Sequence, residues 1–519
     1  MSALDYSIVA VYLLGLLAMG LALRHQKNRD DYFLGGRSLP WPALSLSVMA
    51  TQLSAVSFIS APAFVGLREG GGLIWLSYEL ALPIAVALML WRLLPSLHAS
   101  GVVSVYDYLE RRFSRSTRLL ISFVFQLSRS VATAIMIYAI SLILQGTMGL
   151  EQWHSIVLIG VITLIYSALG GMKAVVWGDA VQMILIFVGA LTCLWVALDH
   201  IGGVEKALML IEPQRLVAVK PDQFGFSGND FGLLPMLFGG LVLYASYYGC
   251  DQSEAQRSLS AHNLSDLRKM MLTVAVCRFP ITLVYCAAGL IIGALVMTTP
   301  SLQAQIPADN PDWMMPIFII NYLPSGIIGL LVVAIMAAAM SSLSSAVNSL
   351  AAVSVEDICR LFKHQPSNDA YLKYARLAGI GWGLITLFLS LVAGDIAPTI
   401  IEAINKIGSV FYGPVLAIFL LGIYSKKIAS VAANTGLAAG VLVNMSLWLF
   451  NSPIFWFWWN LIGFVTTISV GLLMTVFTKP TSSHQPSVRL LKLSNVLILV
   501  ALSVLLTLFC FFLPDILTA

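Results

Sequence analysis

The residues best placed to do chemistry sit in one apolar stretch, Ala338-Ala339-Met340-Ser341-Ser342-Leu343-Ser344-Ser345-Ala346-Val347-Asn348. It lies within 327–355, a run of apolar and small residues long enough to cross a bilayer as a helix. At about 3.6 residues per turn, Ala338, Ser341, Ser345 and Asn348 share one narrow stripe, with Ser342 and Ser344 at its margins. Hydroxyls on one helical face inside hydrocarbon offer oxygen ligands to a small cation that little else there would solvate. The competing reading is a seam of small residues for close helix packing. The stretch alone leaves both open.

Charges inside apolar runs come next, because each is costly there and points to function. Asp179 ends the segment Gly170-Gly171-Met172-Lys173-Ala174-Val175-Val176-Trp177-Gly178-Asp179, and Arg129 lies in the middle of a long apolar run. Glu79, Arg278, Glu402, Asn405 and Lys406 complete the set; an internal ion pair or a snorkelling side chain is the competing explanation, weakest for Arg129 and Asp179 and strongest for Lys406 and Glu402 near a membrane face. A planar guanidinium such as that of Arg129 suits a carboxylate, to which it presents two parallel donors.

Two apolar runs are interrupted by polar residues. Ala50-Thr51-Gln52-Leu53-Ser54-Ala55-Val56-Ser57 is one; Gly239-Gly240 followed by Tyr244-Ala245-Ser246-Tyr247-Tyr248-Gly249-Cys250-Asp251-Gln252 is the other. Helices broken at corresponding places in two halves of a chain are the sequence mark of a transporter with inverted repeats, whose freed carbonyls line a cavity. The halves fall at about 42–199 and 231–423.

The elements that must carry these residues are membrane spans. Of 519 residues, 59% are hydrophobic and 10% charged, with a mean hydropathy of +0.88; a soluble domain carries about 25% charged residues. Apolar runs near 5–23, 42–67, 72–94, 116–148, 154–169, 174–199, 231–250, 270–298, 326–357, 372–393, 397–423, 428–450, 453–478 and 493–514 predict about 14 transmembrane helices. This makes an all-α polytopic membrane protein. With that count, most of the 29 Lys and Arg residues fall on one side. Only Arg68, Lys206, Arg215 and Lys220 fall on the other, and Arg129, Arg278 and Lys406 within or at the edges of spans. The asymmetry puts both termini outside the cytoplasm, in a plasma membrane such as a bacterial inner membrane.

The chain then divides into an extra helix and cytoplasmic loop (1–41), the first repeat (42–199), an extracytoplasmic loop (200–230), the second repeat (231–423) and scaffold helices (424–519). The Pro-rich segment 299–316 is a candidate cap over an access path. The first apolar run follows Asp5 without a basic flank and reads as retained. The net charge of +4 reflects topology, so no nucleic-acid partner is implied. The lipid bilayer and small solutes are the expected partners, with no obligate protein partner. The six cysteines form no C-x-x-C pair. Neither a P-loop, an H-E-x-x-H nor a nucleophile elbow is present, and no enzyme activity is expected. A channel would need polar residues along whole helices, whereas these cluster at mid-depth.

These stretches resemble the sodium/solute symporter family, which includes sodium-coupled carriers of sugars, proline, sialic acid and monocarboxylates. The likeness runs from the loop Asp31-Tyr32-Phe33-Leu34-Gly35-Gly36-Arg37 to the eleventh span, and is sharpest at the segment ending in Asp179 and in the serine helix through Asn348-Ser349 to Glu356-Asp357. The resemblance implies a LeuT-type core of five-plus-five inverted repeats with one span before it. It also implies a principal sodium site made by the carbonyls of Ala50, Leu53 and Ala338 and the hydroxyls of Ser341 and Ser342. A second sodium site would use Asp179, Ser341, Ser344 and Ser345. A substrate pocket would be lined by Gln52, Ser54, Ser57, Glu79, Arg129, Tyr244 and Tyr247, with Arg129 matching the arginine that holds the carboxylate in the sialic acid carriers. Gln52 stands where sugar-binding members carry asparagine, and Val56-Ser57 where they carry Glu-Gln.

The expectation is a secondary symporter that imports a small carboxylate, such as a sialic acid or monocarboxylate, with one or two Na+ ions by alternating access. Symport of a neutral solute (sugar, polyol or amino acid) and a membrane solute sensor are the alternatives. Proton coupling through Asp179 is the nearer rival, against which the serine ligands argue, since hydroxyls ligate a cation without carrying a proton.

Overall fold

A computed structural model describes residues 1–53, 55–227, 231–307, 310–362, 366–393, 400–479 and 488–518, with side chains described at all of these except 55–56, 360 and 400–405. Ser54 of the expected pocket, and the side chains of Glu402 and Asn405, lie outside the described residues. Those that are described are almost all helical. The membrane-length helices are α1 (Ala3–Ala22), the pair α2 (Trp41–Gln52) and α3 (Ala55–Gly66), α4 (Leu73–Ala99), α5 (Arg115–Met148) and α6 (Gln152–Ile201). After the short α7 (Gly240–Cys250) and α8 (Gln252–Leu259) come α9 (Leu264–Thr298), α10 (Ile327–Leu361), α11 (Asn368–Val392), α12 (Ile400–Tyr424), α13 (Ser430–Leu449), α14 (Trp456–Met474) and α15 (Leu493–Thr518).

Each of the fourteen predicted spans has its counterpart: one is bent, two are joined in a single helix that turns at Gly171, and one is short. The pair α2 and α3 is bent by 56° between Gln52 and Ser57. α6 has 50 residues, which at about 1.5 Å per residue far exceeds a bilayer. It divides at Gly171, where φ is +56° and ψ −152°. An added Cβ there would lie 2.7 Å from the Tyr32 carbonyl oxygen, so only glycine allows this turn. The break falls between the predicted 154–169 and 174–199. The predicted span 231–250 is short: a single π-turn (Pro235–Gly239) leads into α7, which ends at Asp251 in extended backbone before α8 begins. Eleven helices among the described residues are long and apolar enough to span a membrane unbroken, or twelve with the bent pair.

The first half-helix is anchored by backbone contact. α3 crosses α9 where Gly66 meets Gly289 and Gly293: a Cβ on Gly293 would lie 2.5 Å from the Gly66 Cα, and one on Gly289 would lie 2.6 Å from the Pro62 Cα. Small residues four apart permit this approach, and dispersion across the contact replaces the hydrophobic drive that is missing between helices in lipid.

α10 is buried on every side, packed on α6, α5, α11, α1 and both halves of the broken pair. Its Ala and Ser residues let several helices approach at once, so the stripe is a packing seam as well as a row of ligands. Asp5 caps its start, with Oδ1 accepting from the amides of Gly326 (2.6 Å) and Gly329 (2.9 Å). Of the Pro-rich segment, Asp312 accepts from the Ser60 hydroxyl at 2.9 Å, and Trp313 faces Gly146, so this stretch closes over α3 and α5.

Candidate functional site

The chemistry-bearing residues meet in two layers. The first joins the serine helix to the broken pair. The Ser341 hydroxyl donates to Asp179 Oδ1 at 2.7 Å, and Ser47 on α2 donates to Oδ2 at 2.5 Å. Thr51 Oγ1 and Ser345 Oγ lie 3.2 Å apart and tie α2 directly to α10. Ala50 and Ala338 are fully buried and Leu53 nearly so. α2 stops at Gln52, with the Leu53 amide donating to the Met49 carbonyl at 2.8 Å, and carbonyls at a helix end are those open to other donors or a cation. The Ser342 hydroxyl bonds back to the Ala338 carbonyl at 3.2 Å, so two members of the expected principal set satisfy each other.

The second expected set is brought together with one difference and one addition. The Ser344 hydroxyl turns away from Asp179 and donates to the Ser341 carbonyl at 3.1 Å. The addition is Arg257 of α8. Its Nη2 donates to Asp179 Oδ2 at 2.7 Å and also to Ser345 Oγ; its Nε donates to Ser47 Oγ at 2.7 Å, and its Nη1 reaches the Ser253 carbonyl. Arg257 is 1% exposed and Asp179 0%. Counting loop charges assigns Arg257 to the cytoplasmic side. The structure corrects the loop assignment: the residue lies on a helix as the buried counter-ion of Asp179. Arg118, counted the same way, is also buried, held by Asp107 (2.5 Å), Glu110 (2.8 Å) and Asp357 (2.6 Å).

The second layer is a cavity of about 1070 Å³, including the solvent at its mouth. Gln52, Ser57, Glu79, Arg129 and Tyr247 line it as expected, together with Arg278, Asp251 and Tyr412. Tyr244 does not. It is fully buried behind the wall, where its hydroxyl donates to Glu79 Oε2 at 3.2 Å. Glu79 Oε1 accepts from Arg278 Nε (3.0 Å) and Thr282 Oγ1 (2.9 Å). With three donors, this carboxylate is occupied in holding Arg278, whose Nη1 has no hydrogen-bond partner among the described residues. Gln52 Oε1 is likewise unpartnered and buried.

Arg129 is in the wall but not unpaired. Its Nη2 is hydrogen-bonded to Asp251 Oδ2, and its guanidinium lies 5.4 Å from the centre of the Tyr247 ring. A substrate carboxylate must therefore share this guanidinium with Asp251 or displace it. An internal ion pair is thus found at Arg278 and also at Arg129 and Asp179, the two positions where the sequence argued most against one.

Sequence reasoning missed Arg257, Asp251, Ser47 and Tyr412. The first two carried a faint signal, as charges just past a Tyr-rich run ending a short span. Ser47 and Thr51, four apart on α2, extend the polar stripe by one turn toward its N-terminus.

A cavity and an oxygen-rich cluster at the breaks of bent helices define a class, the ion-coupled secondary carriers. The oxygens gathered here (carboxylate, hydroxyl and helix-end carbonyl) suit a hard monovalent cation, carried as cargo. The chain belongs to the sodium:solute symporter family, whose model matches residues 32–440. It is 29% identical over 482 residues to the sodium/sialic acid symporter SiaT of Proteus mirabilis, covering 92% of this chain and 96% of that protein. It is 28% identical over 475 residues to the sodium/sialic acid symporter NanT of Aliivibrio fischeri, with 91% and 92% covered. Among solved structures it is similar to the substrate-bound, outward-open state of a Na+-coupled sialic acid symporter, at a TM-score of 0.85 and 27% identity, covering 93% of this chain and 99% of that one. The fold is accordingly LeuT-type, and the protein is a membrane carrier that couples solute movement to sodium.

Proposed function

We propose that the protein imports a small organic carboxylate with two sodium ions, by alternating access, across a bacterial inner membrane. The observation that carries this reading is that two guanidinium side chains, Arg129 and Arg278, line the same cavity. An acid bound between them would meet charge-assisted donors that a neutral solute does not need. The names of the relatives, both sialic acid carriers, support the same substrate class.

In this reading Ala50, Leu53, Ala338, Ser341 and Ser342 hold the principal sodium and tie the broken pair to α10. Asp179, Ser341 and Ser345 hold the second, with Ser344 joining once its hydroxyl leaves the Ser341 carbonyl. Gln52, Ser57, Arg129, Arg278 and Tyr247 contact the substrate, and Ser54 belongs to the same set by sequence. Glu79 and Tyr244 orient Arg278. The repeats run 42–199 and 231–423, and both termini lie on the side poor in Lys and Arg, away from the cytoplasm. Two sodium ions with one monoanion carry one net charge inward, worth about 2.3 kcal/mol per 100 mV.

A neutral solute is the second reading, favoured by the Arg129–Asp251 pair, which leaves that guanidinium already balanced. Uptake of labelled carboxylates and neutral sugars into proteoliposomes, with and without an inward sodium gradient, separates the two. Sodium-driven accumulation of an acid, lost in Arg129→Ala, is expected. Accumulation of a sugar alone would overturn the carboxylate assignment, and binding without flux would point to a sensor.

A further inference from the structure

α8 carries a second feature beside Arg257. Glu254, three residues earlier, is 1% exposed, and neither of its carboxylate oxygens has a hydrogen-bond partner among the described residues. A buried carboxyl with both oxygens unsatisfied is rare and costly. Residues three apart on a helix are neighbours, so the guanidinium of Arg257 has two carboxylates within its compass. It now rests on one of them, Asp179. α8 itself is held in place by other side chains. Gln252 Oε1 accepts from the Val105 amide and its Nε2 donates to the Val103 carbonyl, both at 2.8 Å, while Gln256 donates to the Phe33 carbonyl (2.6 Å) and to Asn348 (2.8 Å). A swing of the arginine side chain therefore needs no movement of the helix.

The charges make the argument sharper. Asp179, Glu254 and Arg257 are two carboxyl groups around one guanidinium, and the neighbouring Arg129 is matched to Asp251. With both carboxyls ionised, the cluster is one monovalent cation short. The arginine moreover bonds to Asp179 and Ser345, members of the second sodium set, and to the Ser47 hydroxyl that also donates to Asp179. A guanidinium on Asp179 Oδ2 and Ser345 Oγ competes with a sodium ion for the same oxygens and repels its charge.

We propose that Arg257 is the internal competitor of the second sodium ion: it holds Asp179 until sodium enters, and is then handed to Glu254. This rests on the two-sodium reading given above. Sodium supplies the missing charge, each carboxylate ends with one cation, and binding at Asp179 is registered on α8, beside the break that forms the cavity floor at Asp251. Arg257 and Glu254 are positioning residues here, and neither needs to touch sodium or substrate.

Thermal unfolding of the full-length protein in detergent, followed against sodium with choline replacing it at constant ionic strength, tests this without knowledge of the substrate, because a bound ion raises the midpoint by mass action. Asp179→Asn is expected to abolish the second sodium response. Glu254→Gln strands the arginine on Asp179 and should raise the sodium needed for that response about tenfold, the size of one charge-assisted hydrogen bond. Arg257→Gln removes the competitor and should lower it by about the same factor, with Arg257→Lys between it and wild type. Opposite shifts are the signature, since general loosening would move both variants the same way. If Asp179→Asn abolishes the response but Glu254→Gln and Arg257→Lys leave it unmoved, or move it together, the competitor is overturned and the second sodium stands. A response unaltered in Asp179→Asn overturns both. Should Arg257→Gln not fold, Glu254→Gln and Arg257→Lys carry the test.

Discussion

Arg129 of α5 and Asp251, at the break between α7 and α8, form an ion pair on the cavity wall, with the two side chains 11% and 9% exposed. The residue suited to hold a substrate acid is thus held by an acid of the protein. Such an arrangement lowers the cost of burying the guanidinium before substrate arrives, and makes substrate compete for it.

Replacing Asp251 by Asn removes that competition. The expected outcome is a KM for the transported acid about tenfold lower, equal to about 1.4 kcal/mol of binding, with a smaller change in maximal rate. Arg129→Lys should raise KM, because an ammonium cannot present two parallel donors. Initial-rate uptake in proteoliposomes reads both. An unchanged KM in Asp251→Asn would mean that the substrate never takes over this guanidinium.

Glu79 and Arg278 pose a different case, because their pair is almost wholly buried, at 1% and 3% exposed. Removing one charge of such a pair strands the other, at about 3–5 kcal/mol. Glu79→Gln is expected to lower the thermal midpoint sharply. Tyr244→Phe removes one donor to the same carboxylate and should cost less, about 1.5–3 kcal/mol, with transport largely kept. Transport lost in Tyr244→Phe with its midpoint kept would show Tyr244 to be a substrate ligand after all.

What the sequence carries and what it hides divide along physical lines. Apolar runs long enough to span a bilayer are legible one at a time, and each of the fourteen has its counterpart, down to the gap at Gly171. The serine stripe is legible because α10 is a regular helix and its period holds. α8 is not legible. Eight mostly polar residues after a short span read as loop, yet Gln252 and Gln256 are buried against Val103, Val105, Phe33 and Asn348, all far away in sequence. No local pattern carries that information, and so Arg257 reads as a loop charge although it sits at the centre of the site. Tyr244 fails for a related reason: periodicity gives the face of a helix, but not whether cavity or carboxylate lies opposite.

The crossing of α3 and α9 predicts where the scaffold tolerates least. A methyl group at Gly293 would sit 2.5 Å from backbone atoms of Gly66, and backbone cannot step aside as a flexible side chain can. Gly293→Ala should cost about 1–3 kcal/mol in overpacking, and Gly293→Val more. Gly381, which has nothing within 4 Å of its added Cβ, serves as the control, and Gly381→Ala should be neutral or slightly stabilising as a better helix former. Thermal unfolding in detergent measures the contrast. Equal midpoints for Gly293→Ala and Gly381→Ala would mean that α3 is free to move off α9.

Ser342 offers the cleanest separation of sodium binding from fold. Its hydroxyl makes one bond, back to the Ala338 carbonyl of its own helix, and such a bond contributes little to helix stability. Ser342→Ala should therefore leave the thermal midpoint without sodium within about 0.5 kcal/mol of wild type. As a member of the principal set, however, the same hydroxyl would be one of five oxygens around the ion. Its loss is expected to raise the half-saturating sodium concentration for uptake about tenfold, by analogy with one ion–dipole contact of about 1.4 kcal/mol. Maximal rate at saturating sodium should be kept, since the ion is still bound and released by the remaining ligands. Uptake measured against sodium at fixed ionic strength reads the shift. If half-saturation does not move, the ion closes the contact between α2 and α10 elsewhere, and the 3.2 Å link from Thr51 to Ser345 is where that contact remains.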